Sequence, residues 1–206
     1  MTPLFKDTST ISEVMSNSEK LKLAAKMGIS FPHFTNTDNP IDFPMTTSKL
    51  KHVKGNLLDL AEAGEFDVVV QGCNCFNKMG GGIAREIRER YPEVAAVDSM
   101  TDRGDYNKLG DWTSEIVIRN NGTTKFEIVN AYTQYNMSTG EDVFEYTAFA
   151  LILQKLARRY PKGKFGFPYI GMGLAKGDKD VIMTLLDAFA EAVNATGGTV
   201  TLVEFA

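Results

Sequence analysis

From residue 50 onward, apolar and polar positions fall into segments of two alternating periods. The short stretch "LKHVKGN" predicts a strand. "FDVVVQG" (66–72) is a continuous apolar run, the pattern of a strand buried on both faces. "GIAREIRERY" (82–91) places Ile83, Ile87 and Tyr91 at helical spacing with charges opposite, and Pro92 is expected to end that helix. "SEIVIRN" and "KFEIVNAYT" flank "NGTT", which predicts a hairpin at Asn121-Gly122. "VFEYTAFALILQKLARRYP" (143–161) predicts a helix apolar almost all round, and "KFGFPYI" (164–170) a strand. "DKDVIMTLLDAFAEAVNATGG" (178–198) predicts a helix with a glycine stop, and "TVTLVEF" (199–205) a closing strand.

Strands alternating with helices define an α/β protein, a three-layer α/β/α sandwich, and the hairpin makes its sheet mixed. The chain changes character near residue 45. "TISEVMSNSEKLKLAAKMG" offers one or two short helices, with capping-box spacing at Thr10/Glu13 and Ser16/Glu19 and a stop at Gly28. "ISFPHFTNTDNPIDFP" holds three of the seven prolines and predicts an irregular connector. The expected division is an N-terminal extension, 1–44, and one α/β domain, 45–206.

Composition narrows the function classes. A net charge of −4 gives no electrostatic reason to expect a nucleic-acid backbone or an anionic membrane as main partner. No apolar run approaches the ~18 residues of a membrane span, and "MTPLFKDTST" lacks a signal peptide's basic and apolar regions. Two histidines and two cysteines, Cys73 and Cys75, suit neither a disulfide framework nor a zinc site. A cytoplasmic, reduced protein without metal or cofactor is expected.

The candidate chemistry lies in two glycine-rich loops, each between a strand and a helix: "QGCNCFNKMGGGIA" (71–84) and "PYIGMGLAKGD" (168–178). Ligands of open α/β sheets bind at the carboxyl ends of the strands, and bare backbone before a helix N-terminus favours anions. Two such loops point to two phosphates, or to a diphosphate with a sugar. Neither loop is a P-loop, and both lack the third glycine of the dinucleotide fingerprint. Asn74, just past its strand, can donate to and accept from sugar hydroxyls. A turn-forming asparagine is the plainer reading of the same residue. Cys73 and Cys75 have no neighbouring base in sequence and are expected to be packing thiols.

"VKGNLLD" (53–59), "VVVQGCNCFNKMGGGIAREI" (68–87) and "FPYIGMGLAKGD" (167–178) together resemble the macrodomain family, which binds ADP-ribose. The resemblance spans roughly residues 50–205. It is strongest to the branch of ADP-ribose 1''-phosphate phosphatases and single-domain ADP-ribosyl hydrolases. It implies that Asn56, with Leu57 beside it, meets the adenine, and that Asn74 meets the distal ribose and is the catalytic candidate. It implies that Gly80, Gly81, Gly82 and Ile83 approach that ribose and the diphosphate. Ile170, Gly171, Met172, Gly173 and Leu174 would wrap the diphosphate through backbone N–H groups. Cys73, Met79 and Thr133 are drawn in as neighbouring ligand-binding positions. Two departures stand out. The lysine that some deacylating members carry at the end of the middle strand is absent where Thr133 and Gln134 stand. Their aspartate after the second loop's glycines is replaced by Ala175.

The resemblance implies a small-molecule ADP-ribose derivative as partner and a phosphatase acting on ADP-ribose 1''-phosphate, its general base unassigned. Asp142 and Glu141, before the long helix, could approach the distal end or serve as helix N-terminal carboxylates. The alternatives are a hydrolase releasing ADP-ribose from protein or nucleic-acid acceptors, with ADP-ribosylated macromolecules as partners, and a non-catalytic ADP-ribose-binding module.

Overall fold

The computed structural model describes residues 49–119, 122–137 and 140–205. The expected N-terminal helices, the connector, the boundary at 44/45 and Asn121 lie outside these residues. Six strands form one sheet in the order β1-β6-β5-β2-β4-β3. The strands are β1 (Leu50–Lys54), β2 (Val68–Asn74), β3 (Trp112–Arg119), β4 (Thr124–Gln134), β5 (Lys164–Phe167) and β6 (Thr199–Glu204). All neighbours are parallel except β3 and β4, which pair antiparallel from Trp112↔Ala131 to Arg119↔Thr124. The sheet is mixed, as the hairpin signal predicts. The five parallel strands bring their carboxyl ends to one edge, and both glycine loops leave from that edge.

Helices cover both faces. On one face lie α1 (Leu57–Glu62), α2 (Gly82–Arg90) and α3 (Pro92–Ser99). There Leu57, Leu58 and Ala61 meet Ile87, Tyr91 and Val94 over Val69, Val117, Phe126 and Ile128. On the other face lie α4 (Tyr146–Arg159) and α5 (Lys179–Ala195). The ring of Phe189 packs edge-on against Phe165 at 5.0 Å and Phe167 at 5.8 Å between centroids. Strand residues of opposite parity feed the two cores, which is why β2 reads as an unbroken apolar run.

Three expectations need correction. Pro92 does not simply end a helix: it takes the first position of α3, where a missing N–H costs nothing and the fixed φ suits a helix. β5 stops at Phe167, three residues short of Ile170, because Pro168 has no N–H for the ladder. α4 is not buried all round. Phe149, Ala150, Ile152, Leu153 and Leu156 form its buried stripe, while Leu151 is 43% exposed. The sequence pattern also omits α1, whose six residues are too few for a periodicity. Its start is set by Asn56, whose Oδ1 accepts the N–H groups of Leu58 and Asp59 at 2.8 and 3.2 Å.

Gly166 in β5 lies directly beneath Phe66 and Leu57. A Cβ there would lie 2.6 Å from Phe66 and 2.8 Å from Leu57. Gly166→Ala is expected to lower stability by about 1–3 kcal/mol through overpacking, read from the urea midpoint at an unchanged m-value. An unchanged midpoint would mean that this contact yields without cost.

Candidate functional site

The first loop is folded largely by its own side chains. β2 delivers Asn74 to the sheet edge, 7% exposed. Its Oδ1 accepts from the N–H groups of Phe76 and Lys78 at 3.0 and 3.3 Å, and its Nδ2 donates to the Lys78 carbonyl at 2.9 Å. The amide expected at a ribose thus has both oxygen lone pairs engaged and one N–H to spare. It turns the chain, which is the plainer of the two readings of this residue. Asn77 follows with a φ of 57° and ties the loop to α3 by donating to the carbonyls of Asp98 and Thr101, both at 3.0 Å.

Under the loop sits Lys108, only 8% exposed. Its ammonium donates to the Cys75 carbonyl at 3.2 Å, to Asn77 Oδ1 at 2.5 Å and to Thr101 Oγ1 at 2.6 Å. It also stands 4.4 Å from the centroid of the Tyr132 ring. The Tyr132 hydroxyl in turn donates to Asp98 at 2.8 Å. Burial raises the Asp98 carboxyl above its ordinary range, against the lowering effects of Tyr132 and Lys108. Four residues from three other segments, Asp98 with Thr101, Lys108, and Tyr132, therefore fix one stretch of loop.

What they hold in place is bare backbone. A Cβ at Gly80, Gly82 or Gly173 would meet nothing within 4 Å. Gly82 has a φ of +55°, which keeps larger residues out of that position at little cost to glycine. α2 starts here with Gly81 as its N-cap, no side-chain cap and no acidic residue in its first turn. Its first N–H groups are therefore left for another acceptor. The second loop differs. Asp178 caps α5 by accepting from the N–H groups of Asp180 and Val181 at 2.8 and 3.1 Å. The two loops, alike in sequence pattern, thus differ in structure: the N-terminus of α2 is uncapped, and that of α5 is capped from within.

The two loops lie side by side: a Cβ at Gly81 would stand 3.0 Å from Leu174 Cδ1. Leu174 is 72% exposed, whereas Ile170 is buried and Met172 half-buried. Gly171, at φ +76°, is packed so tightly that a Cβ would fall 2.4 Å from the Phe144 ring. The loop is then strapped by residues 142–146. Val143 N–H donates to the Ala175 carbonyl at 3.0 Å, and Asp178 N–H to the Tyr146 hydroxyl at 2.7 Å. Asp142 accepts from Tyr146 at 2.5 Å and from Phe144 N–H at 2.9 Å, so it is part of the strap.

At the floor, the β2–β4 register slips between Cys73 and Asn74: Cys73 faces Tyr132 and Asn74 faces Gln134, which leaves Thr133 as the extra residue. Thr133 is 1% exposed, and its Oγ1 has no hydrogen-bond partner among the described residues. It lies 3.0 Å from where a Cβ on Gly72 would stand, with Ile170 3.2 Å from the same point. Buried hydroxyls are seldom left unpaired, so this one marks a place where a polar partner belongs. Gly72 was not among the expected site residues. A glycine near the end of an apolar strand was its signal.

At the other end of the cradle, Asn56 donates to Glu86 Oε1 at 2.9 Å while it caps α1, and Ile83 packs against the cluster that holds Leu57. Cys73, Cys75, Met79 and Tyr132 form a buried cluster, so Cys73 and Met79 support the loop from beneath. Burial, first of all, pushes both thiols up, Cys73 the further. That suits the packing role expected of them. Among the described residues no group of His, Cys, Asp and Glu could hold a metal, and no helix is long and apolar enough to cross a membrane. Lys108, Asp98 and Glu86 carried no local sequence signal of a place at the site.

Comparison with solved structures defines the class by its fold, which is the macrodomain fold. The macrodomain of Thermus aquaticus DarG aligns with a TM-score of 0.52 at 16% identity, over 76% of this chain and 97% of its own. The Trypanosoma brucei macrodomain in complex with ADP-ribose gives 0.52 at 13% identity, over 76% and 63%. A protein of Bacteroides thetaiotaomicron gives 0.58 at 18%, over 76% and 99%. No protein-family model matches the chain. The uncharacterized 17.5 kDa protein of the tk-vs intergenic region of Enterobacteria phage T4 is 30% identical over 146 residues, 68% of this chain and 90% of that protein. The chain therefore belongs, with the phage T4 protein, to one family of proteins with the macrodomain fold.

Two measurements check the supports of the site. Neither cysteine of the native protein is expected to react with a disulfide reagent at pH 8, and both are expected to react after unfolding in urea. Fast labelling of one native thiol would contradict the packing role. Lys108→Met is expected to cost about 1–3 kcal/mol, because it leaves buried acceptors without a donor, and to raise amide exchange across residues 75–81. Unchanged exchange there would show that the loop holds its shape without the ammonium.

Proposed function

We propose that this protein binds ADP-ribose or a close derivative across the two loops. The adenosine would lie at the Asn56–Leu57 end, the diphosphate over Gly80–Ile83 and Ile170–Leu174, and the distal ribose beside Asn74 and Thr133. The observation that carries this reading is the uncapped N-terminus of α2 beneath three glycines, two of which face open space. A diphosphate needs N–H donors and partial positive charge, and it needs its approach clear of side chains. The unpaired Thr133 hydroxyl supports a polar group at the far end. Outside the chain, the reading is supported by the ADP-ribose complex of the Trypanosoma brucei macrodomain and by the Thermosipho africanus DarTG complex with ADP-ribose.

Phosphate release from ADP-ribose 1''-phosphate is the second reading. One observation favours it: helix-terminal N–H groups that hold a diphosphate can also stabilise charge on a phosphoryl group in transfer. The chemistry of the neighbours does not strengthen it. Asn74 is engaged in the loop, Asp142 in the strap, and the thiols are held protonated. Removal of ADP-ribose from macromolecular acceptors is not favoured by the residues at the two positions the resemblance singles out, where Thr133 with Gln134 and Ala175 stand in place of a lysine and an aspartate. Binding is accordingly the function put first, ahead of the phosphatase that the sequence resemblance implies.

Calorimetric titration with ADP-ribose, run beside a phosphate-release assay on ADP-ribose 1''-phosphate, tests both readings. Saturable binding is expected. Gly81→Glu should weaken it by roughly 100-fold, about 3 kcal/mol, by bringing a like charge onto the diphosphate path. Gly81 has an extended φ of −146°, and its near neighbour is the exposed tip of Leu174, so the fold should tolerate the change. A wild-type protein without affinity for ADP-ribose would refute the assignment, as would a Gly81→Glu variant of normal affinity. Steady phosphate release would restore the phosphatase to first place.

A further inference from the structure

Beside the first glycine loop lies a cavity of about 370 Å³, a volume at the lower end of small-molecule sites. Its lining comes from the loop, with Asn77, Lys78 and Gly80, from α2 with Arg88, and from α3 with Ala95 and Asp98. Of the residues placed along the ADP-ribose path above, only Gly80 lines it. The second loop, Asn74 and Thr133 take no part, so this cavity is distinct from the cradle.

The cavity holds charges of both signs that are not paired with one another. Asp98 is 2% exposed, and its Oδ1 accepts from the Tyr132 hydroxyl at 2.8 Å. Among the described residues no donor reaches its Oδ2. Lys108, the buried ammonium nearby, bonds instead to the Cys75 carbonyl, Asn77 and Thr101. Burial raises the Asp98 carboxyl against the lowering effects of Tyr132 and Lys108, so a further cationic donor would be favourable there. Lys78 and Arg88 are both exposed at the rim, and among the described residues neither side chain has an ion pair or a hydrogen bond. Asn77 is fully committed: its amide donates to the Asp98 and Thr101 carbonyls and accepts from Lys108.

These groups rule out the simplest ligands. A bare anion drawn in by Lys78 and Arg88 would meet a buried carboxylate. A bare cation drawn in by Asp98 would have to pass two cations. A compact molecule that carries both charges satisfies all three side chains at once. We propose that the cavity is a second binding site, for a free α-amino acid, whose ammonium donates to Asp98 Oδ2 and whose carboxylate meets Lys78 and Arg88. The contact with Asp98 dominates, because it is shielded from water, whereas the rim pairs are screened. This site does not rest on the ADP-ribose reading, since it uses neither the N-terminus of α2 nor the second loop.

The test uses the whole protein and the twenty standard L-amino acids, titrated one at a time by ligand-observed NMR. Acetate and methylammonium serve as single-charge controls. At least one amino acid is expected to saturate at millimolar concentration or below, with an affinity roughly tenfold above either control. Asp98→Asn keeps the shape and the acceptor for Tyr132, and it is expected to weaken that amino acid by roughly tenfold or more. Arg88→Glu is expected to weaken it by roughly tenfold through charge reversal. Arg88 is exposed and unpaired among the described residues, so this variant decides the matter even if Asp98→Asn fails to fold. Gly81→Glu, which closes the diphosphate path, is expected to leave the amino-acid titration unchanged. The inference is overturned if no amino acid saturates, if either control binds as well, or if a folded Asp98→Asn or Arg88→Glu variant keeps full affinity. Loss of amino-acid binding in Gly81→Glu would overturn it too, by placing the ligand in the cradle.

Discussion

A loop of bare glycines cannot hold itself open, and in this protein one buried ammonium does much of the holding. Ordering glycine costs more backbone entropy than ordering any other residue, and Gly80–Gly82 contribute no side chain in return. Lys108 supplies the return from below, by gathering Cys75, Asn77 and Thr101 around one charge with the Tyr132 ring beneath it. Asn74 completes the arrangement by bonding to its own loop. The rigid half of the loop, residues 74–79, is thus satisfied internally. The glycines beyond it are free to face outward.

This arrangement explains why the site was legible in the sequence and its chemistry only partly so. Glycine triplets and strand–loop–helix order survive as local patterns, so both loops and their place at the sheet edge could be read directly. The long elements were legible for the same reason, since β2, β4, α4 and α5 each carry a full period of apolar positions. The short ones were not. α1 is one and a half turns set by a single cap, and the break at Tyr91-Pro92 starts a helix where the sequence pattern expects only an end. Roles that depend on which hydrogen bonds are already spent cannot be read locally at all. Asn56 and Asn74 both look like amides ready for a ligand, yet each is largely committed to the fold. Lys108 gains its significance from Cys75 and Asn77, 33 and 31 residues away, Glu86 from Asn56, 30 residues away, and Thr133 from a bulge in the β2–β4 pairing.

The two helix N-termini show how a shared pattern diverges. Both loops lead from a strand into a helix. After the first, the helix begins on a glycine with no cap and no acid. After the second, Asp178 supplies the cap and Asp180 sits in the first turn, so the dipole is met from within. Gly171 and Gly177 are small because the Phe144 ring and Ile182 press on them, and their spacing serves packing. Only Gly173 in that loop faces open space. The second loop is therefore a wall braced by the 142–146 strap, while the first keeps an uncapped helix N-terminus beside open glycines. On the reading proposed above, one diphosphate seated mainly on α2 fits this asymmetry better than two independent phosphate sites would.

Charge follows the same division. Lys78 and Arg88 line a cavity together with Asn77, Gly80 and Asp98, so cationic side chains border the first glycine loop. On the reading proposed above, the helix-terminal N–H groups of α2 meet the diphosphate, and selectivity comes from the neutral, hydrogen-bonding ends of the ligand. At the Asn74 end, the selecting groups are a nearly spent amide and a buried hydroxyl, which suit sugar oxygens and offer little to abstract a proton. At the Asn56 end, they are the Asn56 amide and the Glu86 carboxylate that accepts from it. On the reading proposed above, the two ends recognise the ligand by hydrogen bonding while the glycine loops take its charge, an arrangement that supports binding whether or not a bond is cut.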